Sequence, residues 1–295
     1  MAKKDLPTYT IGTLKNEAAR NYRKFMADRF AHYLDDHPDL HFPHKHSFYH
    51  LVYFSKGSGN HSIDFTNFKV EGGQIYFMIP GQVHSWDFDK KPDGFIINFS
   101  GEYLTLLLAN PAYLEQFRFF SGIATHQVIN IPAKKRDEIE YLFEKIIKEG
   151  SADLPLKDDY IKTALLQLFI AVSRCTGSQN PDSQTAYNSV LLRNFQKLID
   201  KNFREKKLTR DYAAILYVTP NHLNALCKDI TGKSAGDLIR DRVILEAKRL
   251  LVNADWNISE IASELSFADN SYFSRFFKKD TGVSPEDFRK QISKK

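Results

Sequence analysis

The sequence predicts an α+β protein of more than one domain, with a small β-sandwich or barrel first and an all-helical domain last. Three observations predict it. From about Leu40 to Phe99, runs of aromatic and β-branched residues ("SFYHLVYF", "QIYFMIP") alternate with the turn-forming clusters "SKGSGN" and "VEGG". That spacing suits a sandwich or barrel. From about Pro132 the apolar period becomes helical. Finally, two stretches share one frame, "TPNHLNALCKDITGKSA" (Thr219 to Ala235) and "DNSYFSRFFKKDTGVSP" (Asp269 to Pro285). Leu223 matches Phe273, Lys228 matches Lys278, Thr231-Gly232 matches Thr281-Gly282, and Ser234 matches Ser284.

A chain of 295 residues favours two domains. With 42% hydrophobic and 26% charged residues it has enough apolar content for ordinary cores. It has no apolar run of about 18 residues, so no membrane span is expected. Its first residues lack the apolar stretch of a secretory signal. Cys175 and Cys227 lie far apart and match no metal-ligand or disulfide spacing, so a reducing cytoplasm is the expected home. The net charge of +5 is unevenly spread: Asn188 to Lys295 holds 20 Lys/Arg against 14 Asp/Glu, and the rest holds 21 against 22. The basic balance of the last third suits a polyanionic partner or a solvated surface.

Ile139, Leu142, Phe143, Ile146 and Ile147, and then Ile161, Leu165, Leu168 and Phe169, recur at helical spacing. These two amphipathic helices need a partner for their stripes, either the barrel's own surface or a second chain. "TGSQNPDSQTAYN" is polar, holds Gly and Pro, and reads as a linker. The expected organisation is therefore 1–133 β-rich domain, 134–175 helical dimerisation or packing segment, 176–187 linker and 188–295 helical domain.

Helix caps punctuate that last domain. Thr209 precedes a periodic run, and Thr219-Pro220 offers a hydroxyl cap followed by Pro in the first turn. Gly232 and Gly282 suit helix ends, because glycine accepts the left-handed conformation there. Ser234 with Asp237 opens a long helix to about Asn253, and Asn257 with Glu260 has the form of a capping box. Asp269 can cap the next helix, and Ser284-Pro285 opens the last. Two short helices joined by a tight turn make a helix-turn-helix, and here there are two joined by the long helix. In such units the second helix enters the major groove. In the second unit Phe273, Phe276 and Phe277 are expected in the core. Asn270, Ser271 and Arg275 are expected outward, toward bases. Asn221 and Asn224 are the candidate base readers of the first unit. Thr219, Lys228, Lys278 and Lys279 are the candidate phosphate contacts.

"WNISEIASELSFADNSYFSRFFKKDTGVSPEDFRK", Trp256 to Lys290, resembles the signature of AraC/XylS-type transcription regulators, and "LTRDYAAILYVTPNHL" resembles their first helix-turn-helix. The turn position often filled by Gly holds Tyr217 and Ser266, so adjusted turns are expected. Ala225 stands where the family frequently has Arg. "HFPHKHSFYHLVYFSKGSGNHSIDF" and "GGQIYFMIPGQVHSW" resemble the cupin-like sensor of the same family. The implied fold is a cupin-like β-barrel or jelly roll with flanking helices, followed by an all-α double helix-turn-helix.

His44, His46 and His84 stand where metal cupins place three ligands, and His-x-His on a strand turns both rings to one face. The carboxylate expected about four residues after His46 is absent, so no metal and no cofactor are expected. The resemblance implies an effector site in the barrel, assigned to His84, Trp86 and Ile96; an indole suits an amphipathic ligand.

The expected function is a sequence-specific DNA-binding transcription regulator, not an enzyme, that responds to a small molecule. Its expected partners are double-stranded operator DNA, an effector, a second copy of the chain and RNA polymerase. A cupin metalloenzyme with an accessory DNA-binding domain is the alternative, and an architectural DNA-binding protein without effector is a third.

Overall fold

The structure, a computed structural model, describes residues 7–14, 24–105, 113–176, 183–252 and 256–293. The chain divides into two compact units between Ser178 and Gln179. Residues 177–182 of the expected linker lie outside the described residues. From Ser183 onward the chain is helical, earlier than its polar composition suggests.

The first unit runs β1 (Thr8–Tyr9), β2 (Phe25–Arg29), α1 (Phe30–Asp36), β3 (His44–His46), β4 (Tyr49–Ile63), β5 (Thr66–Lys69), β6 (Gln74–Met78), β7 (Val83–Phe99), α2 (Gly101–Thr105), β8 (Val128–Asn130), α3 (Ala133–Ser151) and α4 (Lys157–Cys175). The strands form one sheet in the order β1-β3-β7-β4-β6-β8, with β2 on β7 and β5 on β4. All these pairings are antiparallel except β1 with β3.

The cluster "SKGSGN" corrects an expectation. It is not a turn between strands but lies inside β4, where the ladder to β7 shifts register between Phe54 and Gly59. Two glycines permit this. Gly59 has φ +119, and a Cβ there would sit 2.3 Å from the Asp87 carbonyl oxygen. Gly94, on β7, has φ +151 and would place a Cβ 1.9 Å from the Tyr53 carbonyl oxygen. Such bulges bend a strand pair and let two long strands serve both halves of a curved sheet.

Because side chains alternate along a strand, the sheet has two apolar faces. Val52, Phe54, Tyr76, Met78, Trp86 and Ile96 share one core with Phe30 and Tyr33 of α1. Leu51, Tyr53, Ile75, Phe77, Phe95, Ile97 and Phe99 share the other with the stripes of α3 and α4. Ile139, Leu142, Phe143 and Ile146 of α3 and Ile161, Leu165, Leu168, Phe169 and Val172 of α4 are all buried there. Each such side chain contributes roughly 1.5–3 kcal/mol on burial. The stripes therefore find their partner on the sheet of the same chain.

The second unit is helical: α5 (Ser183–Asn202), α6 (Thr209–Ile215), α7 (Pro220–Thr231), α8 (Ala235–Val252), α9 (Ile258–Glu264), α10 (Asn270–Thr281) and α11 (Pro285–Ser293). Asn253 lies outside the described residues. Ala235, Ile239, Val243, Ile244, Ala247 and Leu251 make α8 the spine of the core, with Leu223 and Leu226 of α7 and Phe273 and Phe277 of α10 buried in it. Phe276 is partly buried against the same core. Thr209 is the first residue of α6 rather than its cap; Leu208 holds the cap position and makes no side-chain cap bond. The other caps form as the residue types dictate. Thr219 accepts from His222 N, Asp269 accepts from Tyr272 N, and Asn257 and Glu260 make a reciprocal capping box. Ser234 with Asp237 and Ser284 with Asp287 bond at 2.6 Å.

The turns inside the two helix-turn-helix units are not adjusted. Tyr217 and Ser266 both sit in the left-handed region, with φ 55 and 52. Each turn keeps its backbone bonds, Val218 N to Ala213 O and Phe267 N to Ala262 O. The expected reshaping is not seen: both turns keep the left-handed residue together with these closing bonds. A non-glycine residue there costs roughly 1–2 kcal/mol. Tyr217 is 97% exposed, so its ring recovers none of that by burial. Tyr217→Gly is expected to stabilise the helical unit by about 0.5–1 kcal/mol after the entropy of the unfolded glycine is counted. A urea midpoint at or below wild type would contradict this.

Candidate nucleic-acid interface and buried histidine cluster

In the second unit, α6 with α7 and α9 with α10 form two helix-turn-helix units on α8, which is about 27 Å long at 1.5 Å per residue. The core-facing rows of α7 and α10 are apolar, and their opposite rows reach solvent. Asn221, Ala225 and Lys228 are exposed on α7, and Asn270, Ser271, Arg275, Lys278 and Lys279 on α10. The Arg275 guanidinium makes no ion pair or hydrogen bond among the described residues, so its fork of donors is free for an acceptor.

Two of the expected base readers are already engaged. Asn224 Oδ1 accepts from Ala235 N at 3.0 Å and so caps the start of α8. The bond engages the Asn224 oxygen and not its Nδ2 donors. Asn270 Nδ2 donates to Ser259 Oγ, tying α10 to α9, although the residue stays exposed. Thr219 is exposed and accepts at its Oγ1. The spine is braced on its other side. Glu246 bonds Arg242 at 2.9 Å and lies 3.5 Å from Arg204 and from Arg249. Burial alone would raise its pKa, but Arg242 and Arg249 outweigh this and hold it low.

In the first unit, five histidines are buried in one group. His44 and His46 come from β3, His50 and His61 from β4 and His84 from β7. His44 pairs with His84 across β3 and β7, and His61 lies opposite Trp86 across β4 and β7. His44 Nε2 is 3.2 Å from His46 Nε2, and His46 Nε2 is 2.7 Å from His84 Nε2. His84 Nδ1 lies 3.3 Å from His61 Nε2. His44 Nδ1 faces the Phe42 carbonyl at 2.7 Å, and His50 Nδ1 faces Asn98 Oδ1 at 2.7 Å.

Burial disfavours the charged imidazolium, pushing His50 down to about 3 and His44 down to about 4, with the Phe42 carbonyl partly opposing the latter. Burial first, and neighbouring imidazoles second, lower His46, His61 and His84 as well. All five rings are neutral near pH 7.

The three expected effector residues come together in this interior: His84, Trp86 and Ile96 are all buried. Trp86 packs edge-on to Phe30 of α1 at 5.5 Å and to His84 at 5.0 Å. Among the described residues Trp86 Nε1, His50 Nε2, His46 Nδ1 and His61 Nδ1 are buried with no partner, while Tyr33 lies against the Asn98 side chain.

Sequence reasoning missed four members of this site. His50 stands four residues after His46, where a carboxylate was sought, and stacks on His46 at 4.7 Å. His61 was missed because strict alternation from His50, Val52 and Phe54 turns it outward. The register shift in β4 turns it in. Phe30 and Tyr33 lie on a short helix whose sequence was not read as one; "RFAHYLDD", with apolar residues three and four apart, was the available signal.

Two helix-turn-helix units on one spine, in a chain with a β-rich unit whose interior is polar and buried, define a transcription regulator with a ligand-binding domain. A family model described as an AraC-like ligand binding domain matches residues 28–195, and one described as a helix-turn-helix domain matches 212–291. The chain belongs to the AraC family of transcription regulators. It is similar to the uncharacterized HTH-type transcriptional regulator YisR of Bacillus subtilis, 22% identical over 84% of this chain and 88% of that protein. The transcriptional activator RhaR of Yersinia pseudotuberculosis is 24% identical over 84% of both chains. A crystal structure of ToxT from Vibrio cholerae with an unsaturated fatty acid bound aligns over 93% of this chain and 97% of its own, at TM-score 0.43 and 14% identity. No helix among the described residues is long and apolar enough to cross a membrane.

Proposed function

We propose that this regulator reads DNA with α7 and α10 in successive major-groove segments on one face of the duplex, about 10 bp apart. The exposed, unpaired Arg275 between the buried Phe273 and Phe277 is the observation that carries this reading. Its fork reaches guanine O6 and N7, while Ala225 at the matching place in α7 offers only a methyl contact to thymine. The second subsite is therefore guanine-containing and the first is richer in A/T, read through Asn221 or the Nδ2 of Asn224. Ser271 and Asn270 flank Arg275 at the start of α10. Thr219, Lys228, Lys278 and Lys279 hold phosphates, and binding weakens steeply with salt.

The effector binds in the interior that holds Trp86, Ile96 and His84, and it acts by shifting the population of arrangements of the DNA-binding units. Four buried polar atoms without partners support a guest that supplies donors and acceptors. Phe30 and Tyr33 fill the space beside Trp86, so α1 moves when the guest enters. The protein works in the cytoplasm as a non-enzymatic regulator, with a second copy and RNA polymerase as partners. Pairing uses the outer faces of α3 and α4, where Tyr141 and Tyr160 are exposed, because the inner stripes are covered.

The test is a footprint of the full chain on its genomic site, followed by Arg275→Ala on single-base variants of that site. Two protected major-groove segments are expected. The substitution should cost about 1–3 kcal/mol and relax preference at one base pair. A single protected groove contradicts the geometry. A uniform loss on every sequence, with a flatter salt slope, shows that Arg275 holds a phosphate instead.

A further inference from the structure

We propose that His44, His46 and His84 form a binding site for a divalent late first-row metal ion of the zinc class. This goes beyond DNA binding and stands independently of it. The Nε2 atoms of His44, His46 and His84 converge in the interior, all three ligand atoms lying within 4.8 Å of one another. Ligands of a tetrahedral zinc with bonds near 2.0–2.1 Å stand about 3.3 Å apart. The 3.2 Å between His44 and His46 already matches this, and the 2.7 Å between His46 and His84 must open by about half an ångström.

The hydrogen bonds around the trio favour a cation over a proton. His44 donates its Nδ1–H to the Phe42 carbonyl, so its Nε2 carries a lone pair facing His46. His84 Nδ1 lies against His61 Nε2, an outer partner that leaves His84 Nε2 for the centre. Metal-bound imidazoles commonly have their outer nitrogen held in this way; two of the three rings show it, and His46 Nδ1 has no partner among the described residues. One proton shared among three converging nitrogens leaves lone pairs facing each other, whereas one cation satisfies all three.

The missing carboxylate does not count against the site. Three imidazoles make a complete protein ligand set for a zinc that keeps a fourth position open. His50 stands where the carboxylate was sought. It lies outside the trio and stacks on His46, with Nδ1 on Asn98. Neutral nitrogen ligands favour zinc, nickel, cobalt or copper over magnesium or calcium.

The experiment uses the untagged full chain, stripped with a chelator and titrated calorimetrically with zinc. Cobalt serves as an optical probe of tetrahedral coordination. One equivalent per chain is expected. His46→Ala should abolish binding, His61→Ala should weaken it about 10- to 100-fold, and His32→Ala, in the exposed Asp28, His32, Asp36 group, should leave it intact. No saturable binding, or wild-type binding in His46→Ala, overturns the proposal. Should His46→Ala fail to fold, X-ray absorption of the zinc-loaded wild type decides. Three imidazole nitrogens support the site, and a shell dominated by oxygen ligands overturns it.

Discussion

Metal-free protein taken from pH 7.5 toward pH 4.5 is expected to lose its β-rich unit between about pH 6 and 5, while the helical unit stays folded. The five buried histidines set this window. Their folded-state pKa values lie below the unfolded value of 6.5, at about 4 for His44, about 3 for His50 and lower than normal for His46, His61 and His84. Above pH 6.5 the rings are neutral in both states and contribute no pH dependence. Below it the unfolded chain binds protons that the folded chain refuses, so stability falls with pH until the folded values are reached. A ring that stays neutral while its unfolded counterpart takes up a proton costs roughly 1 kcal/mol per pH unit below 6.5, so several such rings together cost an amount comparable to the whole stability of a domain. Among the described residues no carboxylate pairs with these rings to offset the loss; their neighbours include other imidazoles, Tyr9, Tyr33, Phe48, Tyr76, Trp86 and Asn98. The chain has two tryptophans, so Trp256→Phe leaves Trp86 as a reporter inside the cluster. A Trp86 signal unchanged down to pH 4 would refute the argument, and zinc added at pH 6 should move the transition to lower pH.

Gly94→Ala is expected to destabilise the same unit by about 3 kcal/mol or more, enough to prevent accumulation of folded protein. Gly94 pairs with Phe54 where β4 and β7 bend, at φ +151. An added Cβ would stand 1.9 Å from the Tyr53 carbonyl oxygen and 2.9 Å from its carbon. That backbone belongs to a central strand bonded on both sides, so it cannot retreat without opening the ladder. Gly81→Ala is the comparison. Gly81 has φ +85 but nothing within 4 Å of the added carbon, so it costs only the backbone strain, about 1–2 kcal/mol. Equal urea midpoints for the two variants would show that the close approach at Gly94 is not there.

Legibility followed the range of the interactions. The caps at Thr219, Asn257 and Asp269 and the left-handed stops at Gly232 and Gly282 were readable because each is settled within four residues. The double helix-turn-helix and its exposed Arg275, Lys278 and Lys279 followed from those caps and the apolar period. The two inward histidines of "HKH" were readable from strand alternation. Where alternation breaks, reading failed: "SKGSGN" has the composition of a turn, yet pairing with β7 keeps it in one strand.

The sequence by itself determined that a β-rich domain precedes a helical DNA-binding one, which helices expose polar and basic side chains, and which histidines share a face. Local propensity, capping and periodicity act within a few residues, and these features need nothing more. Only the tertiary structure decided that His50 and His61 are buried beside the trio, that Phe30 and Tyr33 share a core with Trp86, and that the stripes of α3 and α4 are spent on their own sheet. It also decided that Asn224 bonds the first turn of α8. Each of these depends on a contact between segments distant in the chain, and a one-residue register shift in β4 reverses which side chains meet. No local pattern encodes that shift, because it is set by the backbone ladder and by the room two glycines leave for it.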